Sequence, residues 1–179
     1  MTLESGEAHE GLRLQGRSLA GGRLRMAQLR GCRLVDCDLS NAEWDRCGLE
    51  DVVFERCRLT GFRLSNARST GVAFEDCLGR YLQFEDSHLD DARFEGCQLV
   101  DASLMRCQLS RAVFTRCDLS GAVLGGSRLR GADLRGCPIG GLRATLDDLS
   151  GAILDPDQAA AVLLGEAGIR VLPFGADLS

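Results

Sequence analysis

Between Leu14 and Leu154 every fifth residue is large and apolar, with no insertion: of the 29 positions ending in 4 or 9, 26 are Leu, Phe, Trp or Ile, the exceptions being Ser69, Gly79 and Ala144. Two residues before each stands a mostly small residue, as in Ala27, Cys32, Cys37, Ala42 and Cys47. A long helix cannot use this pattern. Five residues at about 100° each move the apolar stripe by about 140° per repeat, so it would wind around the helix. A straight strand fails as well, because faces alternate with period two and an odd repeat flips the core residue outward each time. The pattern suits a chain that makes a short extended side and then turns a corner, every five residues. The small and large residues, two apart, then point inward together, and Gly, Ser, Asn and Asp crowd the corner positions.

A second period gives the number of sides. Leu34, Phe54, Phe74, Phe94, Phe114 and Leu134 recur every twenty residues, and three residues after each comes a cysteine, from Cys37 to Cys137. Of the 29 small inward positions, seven belong to the column running from Arg17 through Cys37 to Cys137, and six of those seven are Cys. The other 22 hold only Cys32, Cys47 and Cys107. Like residues gather in columns when residue n+20 lies above residue n, so four sides make a coil. The expected fold is all-β: about seven four-sided coils, a rod of roughly 34 Å at about 4.8 Å per rung.

The motifs Ala-Asp-Leu-Arg-Gly (132–136), Cys-Asp-Leu-Ser-Gly (117–121) and Cys-Asp-Leu-Ser-Asn (37–41) resemble the pentapeptide repeat. The resemblance covers roughly residues 10–154 and implies a right-handed quadrilateral β-helix. The segment Asp-Leu-Ser-Gly-Ala-Ile-Leu-Asp (148–155), followed by Gln158-Ala159 and Gly168-Ile169-Arg170-Val171, is similar to the tail of the quinolone-resistance pentapeptide proteins. In that group, and in the related mycobacterial fluoroquinolone-resistance protein, the tail forms a dimer, the rod resembles B-form DNA in shape and charge, and the rod engages DNA gyrase. Several members carry loop insertions that this chain lacks.

The expected organisation is a disordered lead-in over 1–10, the β-helix over 11–154, and a tail over 155–179 that caps the rod or pairs with a second copy. Asp155 suits an N-cap and Pro156 the first helical position, so a short helix is expected to Glu166. The apolar tail residues Val162, Leu163, Leu164, Ile169, Val171, Leu172 and Phe174 serve either role. Two irregular stretches are expected. Around 67–82, Ser69 and Gly79 vacate large sites while Leu78 and Tyr81 fall outward, which predicts a local distortion with Leu78 or Leu82 swinging in. It is either a recognition feature or a tolerated irregularity of packing. Near 140–149 the repeat loosens, and Thr145-Leu-Asp-Asp suits a helical turn.

All nine cysteines fall at the inward small position. Stacked thiols point parallel, which is poor disulfide geometry, and only His9 and His88 could add nitrogen ligands. They are expected to be core fillers in a reducing compartment. No signal peptide or membrane-length apolar run is present, which points to the cytoplasm.

The net charge of −5 hides a segregation. Residues 1–35 carry six Arg against three Glu, whereas residues 36–101 carry 15 acids against seven Arg. Placed on four sides, Glu55, Glu75 and Glu95 stack one rung apart with Asp36 and Asp76 beside them, and Asp90 and Asp91 lie on another side. Arg56, Arg93 and Arg116 are expected to offset part of the repulsion. Arg interspersed with acids and the lack of aromatics outside the core argue against direct nucleic-acid binding. No P-loop, dinucleotide motif or nucleophile–base pair is present, and no cofactor or metal is implied. Two readings remain: a non-enzymatic rod that partly mimics DNA and binds DNA gyrase or topoisomerase IV, modulating it or protecting it from quinolones or toxins; and a protein-interaction scaffold without that link. For the acidic columns alone, an ordinary solvated surface is the plain alternative.

Overall fold

The computed structural model describes residues 3–166. In it the five-residue repeat becomes a parallel β-solenoid of fifteen three-residue strands followed by one helix, α1 (Pro156–Glu166). The first coil carries β1 (Ala8–Glu10), β2 (Arg13–Gln15) and β3 (Arg23–Arg25). Strands pair strictly with register n↔n+20, as in Phe54↔Phe74↔Phe94, so each coil lies directly on the last. The four sides are named here by their first inward residue. The His9 side has four strands, the Leu14 side six and the Leu24 side five. The Leu19 side has only single bridges, from Ser18↔Asp38 to Gln98↔Asp118.

The coil count differs from the seven expected. True sheet stacks four to six rungs high, about five turns, and the ladder then continues as isolated bridges such as Val113↔Asp133 and Asp133↔Ile153. The start differs too. Strand Ala8–Glu10 lies inside the expected lead-in and pairs with Gln28–Arg30, because the five-residue register already holds there.

The core is one continuous cluster of side chains from all four sides. Rings of Phe54, Phe74, Phe94 and Phe114 stack with centroids 4.9, 4.9 and 4.6 Å apart and planes within 7°. That separation is the rung spacing itself, so backbone register imposes the stack. Trp44 meets Phe62 edge-on at 5.4 Å, the arrangement favoured by ring quadrupoles.

The corners explain how so short a repeat closes. Fifteen non-glycine residues, among them Asp36, Asn41, Asp51, Arg56, Asp76 and Tyr81, take φ between 49° and 59°. Each costs about 1–2 kcal/mol in the left-handed region. The return is a backbone bond along the axis: Asp36 N–H donates to Glu55 C=O at 3.0 Å and Arg56 N–H to Glu75 C=O at 2.8 Å. Where a corner Asp or Asn meets the next coil, a glycine often receives it. Any Cβ at Gly71, Gly96 or Gly121 would collide with the side chain of Asp51, Asp76 or Asp101.

The cysteines are buried and free. Their thiols also do more than fill space: Cys57 Sγ donates to Leu34 C=O at 3.2 Å and Cys77 Sγ to Phe54 C=O at 3.3 Å, each on the coil before. Burial pushes the Cys107 thiol up to about 11, so it stays protonated near neutral pH.

The distortion expected near Gly79 is absent. Gly79 N–H still donates to Gln98 C=O at 2.8 Å, and the bridges Arg58↔Leu78 and Leu78↔Gln98 hold register. Leu82 is fully buried beside the vacated site, whereas Leu78 stays exposed. The gap is filled by a larger residue at the neighbouring small position. The expected helical turn is present at Thr145, whose C=O accepts from Leu149 N–H at 3.2 Å and whose N–H and hydroxyl both reach Asp148.

Candidate protein-binding surface

The six-stranded Leu14 side and its two corners hold most of the carboxylates singled out above. Glu55, Glu75 and Glu95 are register partners at one outward position. Asp36 and Asp76 lie on the corner column that follows, and Asp91 on the corner column that precedes, with Asp90 adjacent to it. One face therefore gathers them.

Arginines one rung away divide the group. Arg56 binds Asp36 through two nitrogens, at 2.8 and 3.2 Å, and also pairs with Glu55. Arg111 grips Asp91 at 2.7 and 2.6 Å, and Arg116 reaches Glu95 at 2.7 Å. These guanidiniums hold the Asp36 and Asp91 carboxyls below the usual carboxylate range. Arg93, expected to help, forms no ion pair among the described residues. Glu75, Asp76 and Asp90 likewise have no cationic partner among the described residues, and Asp90 accepts the Ser110 N–H at 2.8 Å. Exposed pairs of this kind contribute little to stability, so their main effect is on the surface potential. The sequence signal for most of them was available: Arg56, Arg106 and Arg111 follow Asp36, Asp86 and Asp91 by twenty residues.

The C-terminal end is built differently. Asp155 Oδ1 accepts the Gln158 N–H and Gln158 Oε1 accepts the Asp155 N–H, both at 2.9 Å, a reciprocal capping box. The buried Gln158 amide then donates to Leu134 C=O and Cys137 C=O, both at 2.7 Å. One side chain thus caps α1 and closes the last coil, a role that sequence reading did not assign to it. Val162 is half-buried against the rod, while Leu163 and Leu164 are exposed. Ile169, Val171, Leu172 and Phe174 lie outside the described residues.

Among the described residues no group of three or more His, Cys, Asp or Glu could hold a metal ion, and no helix is long and apolar enough to cross a membrane.

A family model described as a pentapeptide repeat region matches residues 27–104, and one described as pentapeptide repeats (8 copies) matches residues 107–138. No catalytic family is indicated. The sequence matches none of the curated proteins searched. Among solved structures, a trypsin-treated form of QnrB1, a plasmid-mediated fluoroquinolone resistance protein, is 19% identical with a TM-score of 0.46, over 92% of this chain and 99% of that one. HetL, a pentapeptide repeat protein involved in heterocyst differentiation regulation from the cyanobacterium Nostoc, is 21% identical with a TM-score of 0.24, over 84% and 90%. Rfr23, from the cyanobacterium Cyanothece, is 17% identical with a TM-score of 0.23, over 85% and 91%.

Proposed function

The chain belongs to the pentapeptide-repeat family, and from that premise we propose that it is a non-enzymatic binding rod whose acidic Leu14 side occupies a basic, DNA-binding surface of a type II topoisomerase. One observation carries the reading: carboxylates at Glu55, Glu75 and Glu95 repeat at rung spacing, flanked by Asp36 and Asp76 at one corner and Asp90 and Asp91 near the other. The resemblance of the tail motif to quinolone-resistance pentapeptide proteins supports the choice of partner. The exposed Leu163 and Leu164 supply a contact for a second copy. Such a rod in the DNA path would modulate the enzyme or protect it from quinolones or toxins. The site of action would be cytoplasmic.

Duplex DNA carries one charge per about 1.7 Å, and this face is sparser. The mimicry is therefore partial and centred on Glu75 and Asp76. The test is supercoiling by purified gyrase titrated with the protein, with and without a fluoroquinolone. Inhibition or drug protection at micromolar protein, lost in Glu75→Arg/Asp76→Arg with unchanged melting, is the expected result. Full activity in that variant would sink the reading.

A second reading, a scaffold for another protein with no topoisomerase link, is favoured by the arginines that neutralise Asp36, Glu55, Asp91 and Glu95. Inert behaviour towards several gyrases, with a different protein retained on the immobilised rod through Glu75 and Asp76, would select it.

A further inference from the structure

We propose that the first coil carries a second binding site, of opposite charge to the acidic face. There the free edge of β2 and the mouth above Trp44 take an acidic, extended peptide as one more rung.

The backbone supplies the template. In the second coil, Arg33 N–H donates back to Leu12 C=O, and Val35 C=O accepts from Gly16 N–H. On the next side, Asp38 N–H donates to Arg17 C=O and Asp38 C=O accepts from Leu19 N–H. The equivalent groups of the first coil are Arg13 N–H, Gln15 C=O and both groups of Ser18. They point the same way along the axis, where no described coil lies above them, and all three residues are exposed. The chain itself shows that this edge accepts an added segment, since Ser5 Oγ receives the Arg25 N–H at 3.0 Å beside β3. That leaves the His9, Leu14 and Leu19 sides without a described coil above them. Unpaired edges of this kind are the usual substrate for strand addition.

The side chains specify the occupant. Arg13, Arg17, Arg25 and Arg33 are exposed and form no ion pair among the described residues. Residues 11–35 contain no acid, whereas β1 and its flanks carry Glu7 and Glu10. The added rung is thereby confined to the Leu14 and Leu19 sides, and its outward residues are acidic. Inward it meets Leu14, then a cavity of about 270 Å³ lined by Leu3, Leu19, Gly22, Leu24 and Trp44, which takes a large apolar side chain. A second copy fits poorly. Head-to-head stacking sets these arginines against themselves, and head-to-tail stacking meets α1 and the Gln158 plug.

The probe is a fluorescein-labelled peptide, Glu-Leu-Glu-Gly-Ala-Glu-Leu-Glu, added to the full chain. Its control is the same peptide N-methylated at the glycine and the second leucine, whose N–H groups would donate to Gln15 and Ser18. The expected result is saturable binding, with amide exchange slowed at Ser18. Affinity should fall at least about tenfold on N-methylation or in Arg13→Glu/Arg17→Glu. Equal binding of the methylated peptide, protection elsewhere on the rod, or undiminished binding to the double variant would overturn the proposal. So would sedimentation that shows a dimer lost in that variant, because a second copy would then be the occupant. Should the variant fail to fold, the methylated peptide and the exchange map of the unmodified protein still decide.

Discussion

At the C-terminal end of the rod the last coil hands the carbonyls of Leu134 and Cys137 to one buried amide, that of Gln158. At the N-terminal end, the matching edge groups of Arg13, Gln15 and Ser18 meet solvent. Every coil between them is bonded from both sides at 2.7–3.2 Å. The difference shows that the repeat supplies sides, corners and core, but cannot finish itself. Ending a solenoid takes a residue from outside the repeat, and among the described residues a buried one does so at the C-terminal end.

The largest effect should come where both neighbours are present. Phe94 lies stacked between Phe74 and Phe114 at 4.9 and 4.6 Å. Phe94→Ala is expected to cost about 3–5 kcal/mol, whereas Leu14→Ala, in the terminal coil, should fall near the lower limit of about 2 kcal/mol. Urea denaturation of the two variants measures the gap. Equal losses would mean that the first coil is held as firmly as the middle.

Next comes the plug. Gln158→Leu keeps the bulk and leaves the Cys137 C=O unsatisfied, at roughly 1–3 kcal/mol when buried, while Leu134 C=O keeps the bond it accepts from Cys137 N–H at 3.2 Å. A loss of about 1–3 kcal/mol is expected, with faster amide exchange confined to the coil from Leu134 onward and to α1. A loss spread evenly along the rod would show that the end coils do not open separately.

These two residues differ in how far they could be read beforehand. Phe94 belongs to a column that the twenty-residue period lays out, and stacking follows from register alone. Asp155 as a cap followed from its place before Pro156. Gln158 did not, because its partners lie 21 and 24 residues away on a coil outside its own segment. The corner charges fall between these cases. Asp36 and Arg56 are twenty apart and therefore adjacent, and Arg56 and Arg116 pair as expected, whereas Arg93 does not and the Arg111 pair with Asp91 was not anticipated. Tight corners were expected at Gly, Ser, Asn and Asp, but Arg46, Arg56 and Tyr81 also take corner positions, with positive φ, because axial backbone bonding outweighs their strain. Gly79 misled only about distortion. Leu82, one of the two residues expected to swing in, fills the vacancy from the neighbouring column, and the axial bonds around Gly79 keep their register.

A smaller effect tests the plug by titration. The Gln158 and Gly136 N–H groups bind the Asp155 carboxylate, and the first holds its pKa below the usual value. A depressed pKa means that the contribution is present above the unfolded value of about 3.9 and is lost as pH falls through the folded value. Helical ellipticity of α1 should therefore drop on acidification below about pH 4. Asp155→Asn, which still accepts a bond, should flatten that step. An unchanged step would assign it to another carboxylate.

The smallest effect is the sharpest contrast, because it compares one position a single coil apart. Gln28 N–H donates to Glu7 C=O at 2.8 Å, and Ala8, its register partner in the first coil, has no described coil above it to receive the same bond. Proline removes that donor and is tolerated in sheets only where the N–H faces solvent. Gln28→Pro should cost about 1–3 kcal/mol, the penalty for an orphaned group in the ladder. Ala8→Pro should stay within about 0.5 kcal/mol, as for a surface change that touches no such feature. Comparable losses would mean that something covers the His9 side of the first coil.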